Sequence, residues 1–187
     1  MTDVKYFLIE TLFAFPLLLL FARIFFQLFR VPFSHPIYQW IAETMNPIIR
    51  PIERVIPRWR NLCLAALLLM WLTCVIKSWF YYEVPNLFSL FVIGAAELGL
   101  WISRAFMFLL FIYIVMSFVQ PRGNALTELV IRMIEPLLMP IRRRLPLFGP
   151  LDLSPLVLVF AYVLLTALLF RPMIAMAMGA PASLAFL

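Results

Sequence analysis

What this chain has little of removes most familiar chemistry from consideration. Charged residues make up only 13% of its 187 positions, about half the share of a soluble domain. There is one histidine, His35, and there are two cysteines, Cys63 and Cys74. The cysteines share one apolar run eleven residues apart, so a straight helix cannot bring them into a disulfide. One histidine and two scattered thiols give no set of metal-ligand spacing, so neither metal nor cofactor is expected. No histidine or second acid accompanies Asp152 and Ser154 in a hydrolytic arrangement, and the chain is read as a non-enzyme. The alternation of apolar and polar residues over about ten positions that marks a membrane β-barrel is also missing.

What is present is apolar mass. Hydrophobic residues reach 65%, phenylalanine alone numbers 19, and mean hydropathy is +1.03. This is the composition of an integral membrane protein. The net charge of +6 then reads as topology and anionic lipid, not as nucleic-acid binding. The opening stretch MTDVKYFLIE carries Asp3 and Glu10 and no small-residue cleavage site, so it reads as a retained anchor.

Four spans are expected: about 6–29, kinked at Pro16; 61–79; one within 86–119; and 155–170. Lys77, Trp79, Tyr81 and Tyr82 read as the interfacial belt of the second, and Arg23 as a side chain snorkelling from the first. The stretch 86–119 would be about 51 Å long as one helix, longer than hydrocarbon is thick. It is read as one long helix, with a bend at Gly94 or Gly99 as the alternative. The tail from Met173 is expected to be loose or to lie on the membrane.

The chain is organised around an internal repeat. Shifted by 89 residues, Pro32, Pro47, Pro51 and Pro57 fall on Pro121, Pro136, Pro140 and Pro146, and Arg54 falls on Arg143. Four prolines in register mark two copies of one unit, since each fixes φ and removes a donor. Units 1–85 and 86–187 each place two spans around an amphipathic segment, 32–60 and 121–154. The apolar stripes are Ile37, Ile41, Met45 and Ile48 in the first, and Leu126, Leu129, Val130, Met133, Ile134 and Leu137 in the second. The prolines are expected to break each segment into a re-entrant or interfacial helix pair. The fold class is thus all-α, with four transmembrane helices and two proline-broken amphipathic helices in parallel tandem repeats. Both basic loops then face the cytoplasm and both termini the periplasm, by the positive-inside rule.

The run from Ile134 to Pro155, IEPLLMPIRRRLPLFGPLDLSP, resembles the signature of the YggT (YlmG) family. The matching positions are Glu135, Pro136, Pro140, Arg142, Arg143, Pro146, Asp152, Ser154 and Pro155, echoed in the first copy by Pro47, Pro51, Arg54 and Pro57. The first copy departs where Asn46 stands for Glu135 and Glu53 for Arg142. The resemblance covers nearly the whole chain and implies a bacterial inner-membrane protein without established catalysis. It also implies links to osmotic-stress tolerance in bacteria, and to cytochrome cofactor attachment and nucleoid organisation in chloroplasts.

Three groups could carry function. Arg142, Arg143 and Arg144 could meet lipid head groups or a partner, topology being the plainer reading. Asp152 and Ser154 are read first as caps for the exposed N–H groups of the last span. Glu97 and Arg104, seven residues apart on nearly one helix face, form a candidate intramembrane polar site. A non-enzymatic scaffold or assembly factor, engaging anionic head groups and a protein partner or further copies of itself, is the first expectation. A small oligomeric channel or transporter serving osmotic homeostasis is the second.

Overall fold

The computed structural model describes residues 2–29, 36–56, 63–82, 85–119, 125–144 and 153–179. Every regular element among them is helical. In chain order these are α1 (Thr2–Leu28), α2 (Pro36–Glu53), α3 (Leu64–Tyr81), α4 (Leu87–Val119), α5 (Ala125–Arg142) and α6 (Ser154–Leu165). A π turn over Thr166–Phe170 then leads into α7 (Arg171–Ala177). Four stretches are long and apolar enough to cross a membrane: Val4–Leu28, Leu64–Tyr81, Leu87–Ser117 and Ser154–Ala177. Backbone groups cannot stay unpaired in hydrocarbon, so such runs close their hydrogen bonds within a helix.

The repeat is visible in the elements. α2 and α5 are both 18 residues long and begin 89 residues apart, at Pro36 and Ala125. Each lies against the two spans that flank it in sequence: α2 against α1 and α3, α5 against α4 and α6. α3 is the central element, packed on α1 and on α4. The α6–α7 rod packs on α4 and has no second span on its other side among the described contacts. The core of the first unit is aromatic. Phe21 and Phe25 pack on each other and on Phe106 of α4, with centroids 6.1 and 4.7 Å from the latter ring.

Several expectations change. The breaks expected at Pro47, Pro51, Pro136 and Pro140 do not occur, because each pair lies inside one helix. Spaced i, i+4, the two prolines of a pair share one stripe, and all four are exposed. The lost hydrogen bonds therefore fall on the exposed side of each helix, away from its packed face. The inner stripe of α2 is also rotated from the expected one. Tyr38, Ile41, Ala42, Met45 and Ile49 are buried, while Ile37 and Ile48 are exposed.

The stretch 87–119 is one uninterrupted helix. Its glycines permit close approach and do not bend it. A Cβ on Gly94 would collide with Val75 Cγ2 and stand 3.1 Å from the Val75 Cα, and one on Gly99 would meet the Phe170 ring. The last span does not end at Phe170. The rod continues to Ala177, burying Ile174 and Ala175, with Ile174 packed beside Ile93 and Ala96. The π turn stands just before Pro172, where the missing proline N–H already interrupts the ladder.

Candidate functional site: a buried ion cluster

An ionisable side chain inside a span is costly unless another element pairs it. Three spans meet that requirement at one point. Lys77, in the last two turns of α3, faces α1 on one side and α4 on the other. Its Nζ lies 2.9 Å from Glu10 Oε1 and 2.9 Å from Glu97 Oε2. The Tyr82 hydroxyl donates to the second oxygen of Glu97 at 2.8 Å. The side chains of Lys77 and Glu97 are 2% and 6% exposed, whereas Glu10 is 42% exposed. The cluster thus has a dry centre and one carboxylate open to its surroundings.

Aromatic rings surround the ammonium. Lys77 Nζ stands 5.6 Å from the Tyr81 ring centroid, and Tyr6 of α1 packs on Tyr81 at 4.8 Å. Tyr82 lies one residue beyond the span. Burial, then the Glu97 carboxylate, push its phenol above the ordinary value, which keeps it a donor. A cavity of about 330 Å³ lies beside it, lined by Trp79, Tyr82, Asn86, Leu87 and Leu90. One lysine against two carboxylates leaves one formal negative charge. With every member held by a neighbour, the arrangement binds three helices together and presents Glu10 outward.

A second buried charge lies between α1 and α2. Arg23 is 6% exposed and does not snorkel. Its guanidinium donates to the Tyr38 hydroxyl at 2.9 Å and to Asn46 Oδ1 at 3.1 Å. α2 folds over it, which fixes the amphipathic helix to the span beneath.

The expected site residues distribute as follows. Glu97 is in the cluster, while Arg104 is exposed and is not brought to it. Arg142 donates to the Tyr113 hydroxyl of α4 at 2.9 Å, and Arg54, Arg143 and Arg144 are exposed. Glu135 is half-buried, Ser154 is buried at the start of α6, and Pro155 sits in its first turn. Pro57, Pro146 and Asp152 lie outside the described residues. Of the cluster's other members, Glu10 lies in the stretch read as a retained anchor, and Lys77 and Tyr82 in the stretch read as an interfacial belt. A lysine followed by aromatics has the signature of an interfacial anchor. Only the packing shows that α1 and α4 each set a carboxylate beside it.

These features define a multi-pass membrane protein built from two tandem three-helix units. The family model CCB3/YggT matches residues 3–83 and 92–173, again 89 residues apart. The chain belongs to the CCB3/YggT family. It is 33% identical over 180 residues to an uncharacterized protein of Pseudomonas aeruginosa, covering 91% of this chain and 90% of that one. It is 30% identical to the uncharacterized protein YggT of Escherichia coli, covering 82% of each chain. An uncharacterized protein of Haemophilus influenzae is 30% identical, covering 79% of this chain and 81% of that one. No solved structure matches.

Proposed function

We propose that this protein is a non-enzymatic scaffold or assembly factor of the bacterial inner membrane, with its two amphipathic helices on the cytoplasmic face. The observation that carries this reading is the paired arrangement of α2 and α5. Each buries an apolar stripe on its flanking spans and turns exposed arginines outward: Arg50 on α2 with Arg54 just beyond it, and Arg132 on α5 with Arg143 and Arg144 just beyond it. Basic residues near an anionic leaflet contribute about 1 kcal/mol each, so the two helices form a basic platform for lipid head groups or a partner protein. The same positive-inside logic places both termini in the periplasm. A role in osmotic-stress tolerance follows from the resemblance to the family.

A second reading, a small oligomeric channel or transporter, has one observation in its favour. Glu10 stands half-exposed at the edge of a charged intramembrane cluster. Against it, Glu97 and Lys77 neutralise each other within the chain and are almost fully enclosed.

Solute and ion flux into liposomes containing the purified protein, under an osmotic gradient, separates the two. The scaffold reading expects flux equal to that of empty liposomes. It also expects cells carrying glutamine at Arg50, Arg54, Arg132, Arg143 and Arg144 to lose tolerance to osmotic challenge while the protein stays inserted. Flux above the control that vanishes in Glu97→Gln would replace it with the conduction reading.

A further inference from the structure

We propose that the cleft between α4, α5 and α6 seats one acyl chain of an anionic phospholipid, with the lipid phosphate held at Arg143 and Arg144. This deepens the head-group platform proposed above and rests on it.

The cleft measures about 190 Å³ and is lined by aliphatic and aromatic side chains, with Ser103 and Tyr162 as its polar members. It runs along α4 from Leu110 to Ser103 and along α6 from Leu158 to Leu165, about 10 Å in each case. Ile134 and Leu137 of α5 close one side.

The repeat shows how the side chains differ here between the two units. By the 89-residue register, Leu17 and Phe21 of α1 correspond to Phe106 and Leu110 of α4. In the first unit, Leu17 and Phe21 are 1% and 5% exposed and fill the space beneath α2. In the second unit the bulk is redistributed. Leu110 is smaller than Phe21, and the Phe106 ring is drawn toward Phe21 and Phe25 of the first unit. Across the cleft, Ala161 stands where the first unit has Leu72, which is itself exposed there. Phe106 is larger than Leu17 and Tyr162 stands where the first unit has Thr73, so the cleft arises from where the side chains lie and not from fewer atoms.

Charge selects the occupant. Tyr113 lies three residues beyond Leu110 on α4, about 4.5 Å along the axis, and accepts the hydrogen bond from Arg142. That contact sets the basic turn of α5 over the end of the cleft. From Pro136 to Arg144 the chain carries three arginines and no acid, and Arg143 and Arg144 are exposed. An apolar slot between membrane-crossing helices, with a cluster of arginines on the helix that closes it, matches a lipid tail and its phosphate.

Native mass spectrometry of the full chain in detergent, with dioleoyl phosphatidylglycerol or dioleoyl phosphatidylcholine added, tests this. The wild type should retain the anionic lipid preferentially. Arg143→Gln with Arg144→Gln should cut that retention about thirtyfold, at about 1 kcal/mol per arginine, and leave the zwitterionic lipid unaffected. Ala161→Phe fills the cleft and should lower retention of the anionic lipid about tenfold with the arginines intact. Ser103→Leu, which adds bulk at the far end, should act in the same direction and serves if Ala161→Phe does not fold. Loss through the arginine changes but not the filling changes would overturn the cleft and leave the platform standing. No loss from either set would overturn both. Equal retention of the two lipids by the wild type would overturn the anionic assignment.

Discussion

Replacing Lys77 by methionine removes the one cation between two carboxylates and tests whether the buried cluster holds the bundle together. The methionine fills similar volume, so the loss is electrostatic and not a cavity. Glu97, 6% exposed, would keep the Tyr82 hydrogen bond but face Glu10 with no counter-charge. Removing one partner of a buried pair costs about 3–5 kcal/mol. Glu97→Gln should cost less, about 1–3 kcal/mol, because Lys77 still meets the half-exposed Glu10. Tyr82→Phe, a single side-chain hydrogen bond, should cost about 0.6 kcal/mol, the mean for such bonds in membrane proteins. The double variant Lys77→Met with Glu97→Gln should be more stable than Lys77→Met alone, since no unpaired charge stays enclosed. Equilibrium unfolding in mixed micelles, followed by tryptophan fluorescence, gives these values. A cost below about 1 kcal/mol for Lys77→Met, the range of an exposed pair, would refute the reasoning. So would a double variant that loses the full sum of the two single changes.

Other outcomes follow from the backbone. Pro136→Ala should stabilise the protein by about 2 kcal/mol, read as a raised unfolding midpoint. A proline inside a helix costs about 3 kcal/mol, of which about 1 is offset by its restriction of the unfolded chain, and Pro136 is exposed with no packing to lose. A lower midpoint would mean that the backbone shape the proline imposes fits α5 to its spans. Gly94→Ala should destabilise by about 1–3 kcal/mol, because the added carbon meets Val75 Cγ2 and backbone at 3.1 Å. For Gly99→Ala the three nearest atoms all belong to the Phe170 ring, a side chain that can turn away, so thermal melts should show the smaller loss there.

The amphipathic helices show how far periodicity reaches. In α5 the expected stripe and the buried one share Leu129, Val130, Met133 and Ile134, because the apolar residues there admit only one inward face. In α2 the inward face includes Tyr38, whose hydroxyl meets Arg23, and that partner lies fifteen residues away on another helix. The proline pairs mislead for a related reason. Proline is a breaker when its lost bond is buried, and which face it occupies depends on how the helix docks.

The sequence alone determined the number of spans and the tandem arrangement, because length, hydropathy and a repeated proline spacing are local properties that a membrane solvent forces into helices. It also supplied the family, through a motif confined to one contiguous stretch. The tertiary structure decided which charges meet. Glu10, Lys77 and Glu97 come from three helices separated by 67 and 20 residues of chain, and electrostatic pairing depends on distances of 2.9 Å that only packing sets. The placement of Arg23 under α2, and the cleft between α4, α5 and α6, were likewise fixed by how side chains interlock.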